Sequence, residues 1–463
     1  MTHPPSGTAL REPGPDQSSA PVTVPAQRRG VPSVAAERLR AAATTEPGRL
    51  QIIGAALALL VVVFGGVTFL EISGRASSAD DVVTRSQPLS AGAAGIYRSL
   101  ADADTMAASG FLAGAQEPPD VLATYEADIK EASRLLVEAA ASTDASTSSH
   151  REILTLGELL PEYTGLIERA RANNRQGLPL GGAYLRYANQ KMTNEILPAA
   201  ERLYAAETGR LGTDSADARQ WPFLSLAAGV VALAALVWTQ RRTYRRTNRV
   251  FNHGLLAATA AAAVLLLWLA VGHTVARTEL RSAMVHGQES LDVLNKARIN
   301  SLKARANENL TLVARGAVLT PDGTRDKYET DYGTGMKALG TQLESARKLA
   351  GGDSLGRAPV DAAIESVSEW QERHKKARTT DDRGEYDSAL TQVIGPKGST
   401  GESFEQVDDA LERALTHEQD EFDAAAEDGR GALGGLPVGA AVLAVLGAVA
   451  ATAGVNRRLS EYR

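Results

Sequence analysis

The stretch QRRTYRRTNRVFNH (residues 240–253) holds five arginines and no acidic residue, and it separates two long apolar runs. PFLSLAAGVVALAALVW (222–238) leads into it, and GLLAATAAAAVLLLWLAVGHTV (254–275) leads out. Each run approaches the roughly 20 residues that an α-helix needs to cross a bilayer. Short arginine-rich segments between spans stay on the cytoplasmic side. The stretch therefore predicts a cytoplasmic loop that joins two membrane-spanning helices.

Two further apolar runs, 51–70 and 436–455, complete a set of four, and each has arginine at the end that should face the cytoplasm. The three segments on the arginine side of the spans carry 14 arginines and five acidic residues, a net charge of +9. The other polar segments carry 35 basic and 50 acidic residues, a net charge of −15. This asymmetry predicts a multi-pass cell-membrane protein with both termini in the cytoplasm.

These features divide the chain into nine predicted parts. They are a disordered cytoplasmic tail (1–48), a first span (50–71), a first extracytoplasmic helical bundle (72–220), a second span (221–239), the arginine-rich loop (240–253), a third span (254–275), a second bundle (276–434), a fourth span (435–455) and a cytoplasmic stub (456–463).

The tail carries eight of the 19 prolines and has little apolar clustering, so it cannot bury enough surface to order itself. A solvated tail is the favoured interpretation, and a docking or phosphorylation segment is the alternative. The first apolar run starts too far into the chain for a signal peptide.

Both extracytoplasmic segments show helical periodicity and no strand-like alternation. In the first, a long helix leaves the membrane, a second begins at Pro118-Pro119, and the turns at 142–149 and 173–182 separate two more. In the second, PDG (321–323) and Gly351-Gly352 with Pro359 mark turns. Apolar residues recur at spacings of three and four in each helix. The fold class is therefore predicted as all-α, with four transmembrane helices and two tandem antiparallel four-helix bundles.

The two halves also share residues. YEAD (125–128) in the first half corresponds to YETD (328–331) in the second. Likewise, Glu162-Tyr163 corresponds to Glu369-Trp370, and Ala170-Arg171 corresponds to Ala377-Arg378. The offset drifts only from 203 positions at YEAD to 216 positions between Arg241-Arg242 and Arg457-Arg458. We interpret this as a tandem duplication of a unit made of span, bundle and span.

Catalytic and metal-binding motifs are scarce. The chain has no cysteine, no glycine-rich phosphate loop and no nucleophile elbow. The seven histidines are scattered without a ligand-like partner, and His417-Glu418 lacks the second histidine of a zinc helix. The span interiors hold no charged residue, which argues against a transport pathway. We expect no catalytic site, no cofactor and no metal, and the acidic extracytoplasmic segments exclude nucleic acid as a partner.

Three features leave alternatives open. The repeated motif has two interpretations. In one, Tyr125, Glu126 and Asp128 line a ligand crevice. In the other, which we favour, the tyrosine lies on the core seam and the two acids lie near a helix start, where they suit the helix dipole. The acidic run 408–428 is interpreted as a solvated helix face in preference to a metal site. Small residues such as Gly65-Gly66 and Gly229 allow close helix contact, which favours packing within the chain over a homo-oligomer.

Helices that run from a bundle into the membrane resemble the four-helix-bundle sensor modules of bacterial chemoreceptors and sensor kinases. The layout of four spans with two repeated helical segments is similar to the GlnX-type actinobacterial membrane proteins. That resemblance implies a relay in which an extracytoplasmic amino-acid-binding lipoprotein docks on the bundles and a cytosolic Ser/Thr protein kinase receives the signal.

We therefore predict a non-enzymatic transmembrane sensor, with a cell-envelope scaffold or secretion-associated membrane protein as the alternative. No ligand-binding residue can be assigned from the sequence. The candidate contact for a cytoplasmic partner is the set of loop arginines Arg241, Arg242, Arg245, Arg246 and Arg249.

Overall fold

The computed structural model describes residues 46–114, 116–247 and 252–459, and these residues form an all-helical protein. Within them the only β contact is an isolated bridge between Leu319 and Asp326. The α-helices are, in chain order, α1 (Glu46–Asp81), α2 (Gln87–Leu112), α3 (Pro119–Ser142), α4 (Ser148–Arg175), α5 (Leu180–Lys191), α6 (Leu197–Ala218), α7 (Phe223–Thr247), α8 (His253–Ser282), α9 (Glu289–Ala314), α10 (Lys327–Ala350), α11 (Ser354–Asp382), α12 (Tyr386–Ile394), α13 (Thr400–Gly434) and α14 (Leu436–Leu459).

Three short π-helical turns join consecutive helices without a break. They are Val82–Ser86 between α1 and α2, Met192–Ile196 between α5 and α6, and Ala283–Gln288 between α8 and α9. A π-helical turn accommodates one extra residue in a helix and often lies at a functional site. The first and third turns occupy the same place in the two halves, where a span continues into its bundle.

Helices α2 to α6 form the first bundle, and α9 to α13 form the second. Side-chain caps start several of these helices, because the first amides of a helix lack intrahelical acceptors. Asp326 accepts from the amide of Glu329 (3.0 Å) at the start of α10, and Ser399 accepts from Glu402 (3.2 Å) at the start of α13. The predicted all-α architecture is confirmed.

The two bundles pack side by side and share one continuous hydrophobic core. Their contact runs along α2 and α9, which ascend in the same direction. The hydroxyl of Thr105 donates to the carbonyl of Leu302 (2.9 Å), and the side-chain amide of Asn309 donates to the hydroxyl of Ser109 (2.7 Å). We call the two bundles together the head (residues 72–220 and 276–434).

Four helices are long and apolar enough to span a membrane. Their apolar parts lie in α1, α7, α8 and α14, which pack in a ring in that order, and we call this ring the span bundle. In the most apolar window of each, only 28–33% of the residues are buried inside the molecule. The remaining apolar surface faces outward, as a lipid environment requires.

Glycines allow these helices to approach closely. A Cβ added at Gly65 of α1 would overlap the Cβ of Ala444 and lie 3.2 Å from the carbonyl oxygen of Ala440, whereas one added at Gly66 would meet nothing within 4 Å. A Cβ at Gly229 would lie 2.8 Å from the Phe64 ring. Gly65 and Gly229 thus serve packing within the chain, while Gly66 faces away.

Three local expectations need correction. The stretch predicted as a loop, 240–253, is helical up to Thr247, because arginine favours helix and no Gly or Pro interrupts it. Pro359 lies inside α11, which begins right after its cap Asp353, so it does not bound the turn. The short helix α12 was not predicted, although Ala389 and Val393 bury a one-sided face.

Parts of the predicted organisation lie outside the described residues. They are the tail up to residue 45, residues 248–251 of the loop with Arg249, the side chain of Arg246 and the last four residues of the stub.

Replacing Gly65 by Leu should destabilise the protein, because the new side chain has no space between α1 and α14. Overpacking of this kind typically costs about 1–3 kcal/mol in the free energy of unfolding. Thermal unfolding of the detergent-solubilised protein, followed by circular dichroism, measures the loss. Gly66→Leu is the matched control and should leave the midpoint unchanged, so equal effects of both changes would contradict this packing.

Candidate functional site

A buried carboxylate organises the second bundle. Glu308 of α9 is 2% exposed and accepts hydrogen bonds from the Trp370 indole (3.2 Å), from Nδ1 of His374 (2.8 Å) and from Arg305. Nε2 of His374 lies 3.1 Å from Oε1 of Glu329 at the start of α10. We call this group the second polar centre, and it ties α9, α10 and α11 together.

The charges of the second polar centre balance each other. Burial disfavours the charged form of His374, but hydrogen bonds and Coulombic attraction from Glu308 and Glu329 outweigh it and raise its pKa to about 9. Burial likewise opposes the charge of Glu308, yet the hydrogen bond from His374 and the charge of Arg305 lower its pKa. The Tyr332 ring stacks on the imidazole with 3.7 Å between the ring centroids. His374 is therefore a protonated imidazole that lies between the carboxylates of Glu308 and Glu329.

A second buried carboxylate lies in the first bundle. Asp104 of α2 is 5% exposed; it accepts from the Tyr163 hydroxyl of α4 (3.1 Å) and from the Asn189 amide of α5 (2.6 Å). Burial raises the pKa of Asp104 to about 6, although both hydrogen bonds counteract this. No cationic side chain among the described residues forms an ion pair with it. We call Asp104, Tyr163 and Asn189 the first polar centre.

The two polar centres occupy corresponding places in the two halves. Asp104 and Glu308 are separated by 204 positions, and their aromatic donors Tyr163 and Trp370 by 207. Both offsets fall within the drift seen in the sequence repeats. A carboxylate on the first helix of each bundle therefore meets an aromatic donor on the third helix.

A cluster of acids lies between the bundles on another side of α2. Burial raises the pKa of Asp102 and of Asp128 on α3, and the neighbouring charge of Asp102 raises the latter further. Each of the two has one buried carboxylate oxygen with no hydrogen-bond partner in the described chain. Nearby, Arg298 of α9 makes two hydrogen bonds of 2.7 Å to Asp408 of α13. The interface between the bundles thus contains protonatable groups.

A polar junction links the head to the span bundle. Glu71, at the end of the first span, accepts from the backbone amide of Ser225 (2.8 Å) and so caps the start of α7. Arg75, one turn further on, donates to the carbonyls of Gln220 (2.7 Å) and Trp221 (3.0 Å). Arg277 of α8 donates to the carbonyl of Arg219 (3.1 Å). Side chains of α1 and α8 therefore both donate hydrogen bonds to the backbone of the break between α6 and α7.

The arginines proposed to contact a cytoplasmic partner lie at the far end of α7 from the head. Arg241, Arg242 and Arg245 are exposed, and the Arg242 guanidinium lies 5.2 Å from the centre of the Trp238 ring. The side chain of Arg246 and the whole of Arg249 lie outside the described residues. No site is formed by these residues in the described part of the chain, so their role stays a prediction.

Two of the seven histidines have carboxylate partners that their positions in the sequence did not indicate. His374 contacts Glu308 and Glu329, and Nε2 of His417 lies 2.8 Å from Oδ2 of Asp353 and 3.5 Å from Oε1 of Glu421. The ligand atoms of Asp353, His417 and Glu421 lie within 4.8 Å of one another, as metal ligands can. Asp353, however, already accepts from the first amides of α11. A helix cap with a hydrogen bond to His417 explains the group.

The repeated Tyr-Glu-x-Asp motif has divided roles. Tyr125 and Tyr328 are buried in the core, as the favoured interpretation expected. Glu126 is exposed, whereas its counterpart Glu329 belongs to the second polar centre. Asp128 lies in the third turn of α3 and not near the helix start, so its charge serves no dipole. The Glu and Asp of the first copy thus depart from the structural interpretation, whereas Glu329 of the second copy lies in the first turn of its helix.

Residues 78–216 match the family model described as an actinobacterial sensor domain. The match covers 139 of the 463 residues and lies within the first bundle, which contains the first polar centre. Searches of curated proteins and of solved structures each found no match. The first bundle is therefore similar to a sensor domain of actinobacteria, which supports a sensor role for this part of the chain.

The second polar centre should make stability depend on pH. Because the pKa of His374 is raised above its unfolded value of about 6.5, its contribution is complete below that pH and is lost as the pH rises toward about 9. The melting temperature of the full-length protein in detergent should therefore fall over this range. The loss in the free energy of unfolding is on the order of 3 kcal/mol.

His374→Gln should lower the melting temperature at pH 6.5 and flatten its decline between pH 6.5 and 9. Asp102 and Asp128 contribute a decline of the same sign, so the difference between the variant and the wild type is the informative quantity. His286→Gln alters an exposed histidine and serves as the control. An unchanged slope in His374→Gln would show that this histidine is neutral in the folded protein.

Proposed function

We propose that this protein is a non-enzymatic transmembrane sensor that relays an extracytoplasmic signal to a separate cytoplasmic effector. One observation carries the proposal: two helices continue without a break from the span bundle into the head, where they form the contact between the two bundles. Gly48–Leu112 and His253–Ala314 each run without a break through a π-helical turn. At 1.5 Å per residue, each measures about 90–100 Å.

A continuous helix is stiff along its axis, so a shift where α2 meets α9 reaches the opposite end of the span bundle. Movements of about 1–2 Å are typical of signalling helices. The π-helical turns at Val82–Ser86 and Ala283–Gln288 lie between the segment of each helix in the span bundle and its segment in the head. The match of the first bundle to a sensor domain gives independent support to a sensory role.

The direction of the relay follows from charge. Arg241, Arg242 and Arg245 lie at the end of the span bundle away from the head, and the head carries the acidic excess. We place the head outside the cell and both termini in the cytoplasm on this ground. The signal is an amino acid delivered by a binding lipoprotein, and the effector is a Ser/Thr kinase, in keeping with the resemblance to GlnX-type proteins. The equivalent polar centres support a tandem duplication.

Orientation can be measured by thiol labelling, because the chain has no cysteine of its own. Gln176→Cys, in an exposed turn of the head, should react with a membrane-impermeant maleimide in intact cells. Tyr244→Cys, at the other end, should react only after permeabilisation. The reverse pattern would place the head in the cytoplasm and remove the basis for extracytoplasmic sensing.

The relay itself predicts a distance change across the membrane. Spin labels at Tyr244→Cys and Asn456→Cys report the separation of α7 and α14 at the end away from the head, by electron–electron resonance in nanodiscs. Thr105→Val keeps the side-chain size but removes the hydroxyl that bonds to α9, and Thr105→Leu also adds bulk at this buried site. Both should shift the distance distribution by about 1–2 Å.

Thr124→Val is the matched control, since this exposed threonine bonds only within its own helix. Inserting two glycines after Thr84 interrupts the first continuous helix and should reduce the shift caused by Thr105→Leu. If the melting temperatures show a folded head and the distances do not change in either Thr105 variant, the protein is a static anchor. That result would favour the envelope scaffold.

A further inference from the structure

Three arginines lie together where the head meets the span bundle. They are Arg219, directly after α6, and Arg277 and Arg281, one turn apart near the end of α8. Arg219 and Arg277 are half-buried, and Arg281 is exposed. We call these three residues the junction arginines. In the described part of the chain, none of them forms an ion pair with a carboxylate.

The hydrogen bonds of the junction arginines leave their charges uncompensated, because the acceptors are neutral. Arg277 donates to the carbonyl of Arg219 (3.1 Å), and Nε of Arg219 donates to the carbonyl of Ser215 (3.1 Å). Burial and then the positive charges of Arg277 and Arg281 lower the pKa of Arg219. Like charges at this separation repel one another, so the group is a site for an anion.

The first half of the chain neutralises the equivalent cation. Arg75 of α1 corresponds to Arg277 of α8 with an offset of 202 positions, the offset that also separates Ser86 from Gln288 at the ends of the π-helical turns. Arg75 forms an ion pair with Glu71 (3.0 Å), one turn before it.

The same offset of 202 places His273 at the position of Glu71 in the second half. The second half has therefore kept the arginine without the carboxylate that neutralises it in the first half.

Another arginine at the base of the head also has acidic partners. Arg430 of α13 lies 3.1 Å from a carboxylate oxygen of Asp80 and 2.6 Å from one of Glu427. The head as a whole carries an acidic excess. A shortage of acids near the membrane therefore does not explain why the junction arginines lack partners.

The depth of the junction arginines matches the headgroup layer of a bilayer. The apolar run of the third span ends at Val275, so at 1.5 Å per residue Arg277 lies about 3 Å and Arg281 about 9 Å beyond it. The headgroup layer is about 5–8 Å thick on each side of the hydrocarbon core. A long arginine side chain can also bend toward this layer.

Apolar side chains lie beside the cluster, on the membrane side of it. The guanidinium of Arg277 lies 5.5 Å from the centre of the Trp221 ring, and tryptophan is enriched at membrane interfaces. Phe223 and Leu224, which follow at the start of α7, are 70% and 71% exposed. Cations and an outward-facing apolar surface are thus adjacent.

We propose that the junction arginines bind the phosphodiester of an anionic phospholipid in the leaflet on the head side, with an acyl chain against Phe223 and Leu224. Guanidinium groups match phosphate geometry, since each can donate two parallel hydrogen bonds to it. The exposed apolar surface selects a lipid over a soluble phosphate, which has no apolar part to cover it.

A bound headgroup would connect elements on both sides of the break between α6 and α7. Arg219 belongs to this break, whereas Arg277 and Arg281 belong to the third span and its continuation. One phosphate would therefore hold the base of the first bundle against α8. This inference does not depend on the proposed sensor function.

Native mass spectrometry of the full-length protein in detergent, titrated with dioleoyl-phosphatidylglycerol or dioleoyl-phosphatidylcholine, tests the proposal. Arg241, Arg242, Arg245, Arg246 and Arg249 are replaced by glutamine throughout, because arginines at the other end of the span bundle also attract anionic lipid. Phosphatidylglycerol should bind at least about 10-fold more tightly than phosphatidylcholine, whose choline cation offsets the phosphate charge.

Arg219→Gln and Arg281→Gln should each weaken phosphatidylglycerol binding about fivefold, and together they should reduce its preference over phosphatidylcholine to less than about threefold. Arg281→Lys keeps the charge and should retain most of the affinity. Arg430→Gln is the matched control, because it removes a charge at the base of the head that is already paired, and it should change the affinity less than about twofold.

Melting temperatures establish that each variant is folded. Equal affinities for the two lipids, or a preference that the double variant Arg219→Gln/Arg281→Gln leaves unchanged, would overturn the proposal. Glycerol 3-phosphate serves as the soluble probe and should not bind at millimolar concentration, because it lacks acyl chains. If it bound as tightly as phosphatidylglycerol, the site would be one for a soluble phosphate and the lipid assignment would be wrong.

Discussion

A carboxylate in the core of each bundle must be compensated, because an isolated charge in a low-dielectric interior is strongly unfavourable. Glu308 meets this constraint with donors from its own helix and from α11. Arg305 extends the network by donating to Thr400 at the start of α13 and to the carbonyl of Val393 in α12. The packing of the second bundle thus depends on one ionised side chain.

The first bundle stabilises its buried carboxylate in a different way. Asp104 has neutral donors only, so its ionisation is less favourable and its pKa lies near 6. Two bundles of one architecture therefore differ in charge at their centres: the buried carboxylate of the second is paired with cations, while that of the first has neutral donors and lines a cavity between the bundles. The contact of α2 with α9 brings the first centre against the second bundle.

Much of the fold could be predicted from the sequence, because it is encoded locally. The apolar runs and the periodic seams identified the spans and most helices, and the seam residues Ile153, Tyr163, Leu203 and Trp370 are buried as expected. The packing of the two bundles into one head could not be predicted. Helix α2 is buried on nearly all of its faces, so its sequence shows no separate apolar face for the second bundle. The polar centres were missed for the same reason: Glu308 and His374 are 66 residues apart, and no local motif connects them.

The break at Trp221-Pro222 makes the two halves mechanically unequal. In the second half only Gly435 separates α13 from α14, whereas in the first half four residues, 219–222, separate α6 from α7. The first half therefore has a break in its helix beside the span bundle that the second half lacks, and Arg75 and Arg277 donate hydrogen bonds to the carbonyls of this break. A displacement of the head would therefore reach α14 through a nearly continuous helix, whereas it would reach α7 only through the hydrogen bonds that Arg75 and Arg277 make.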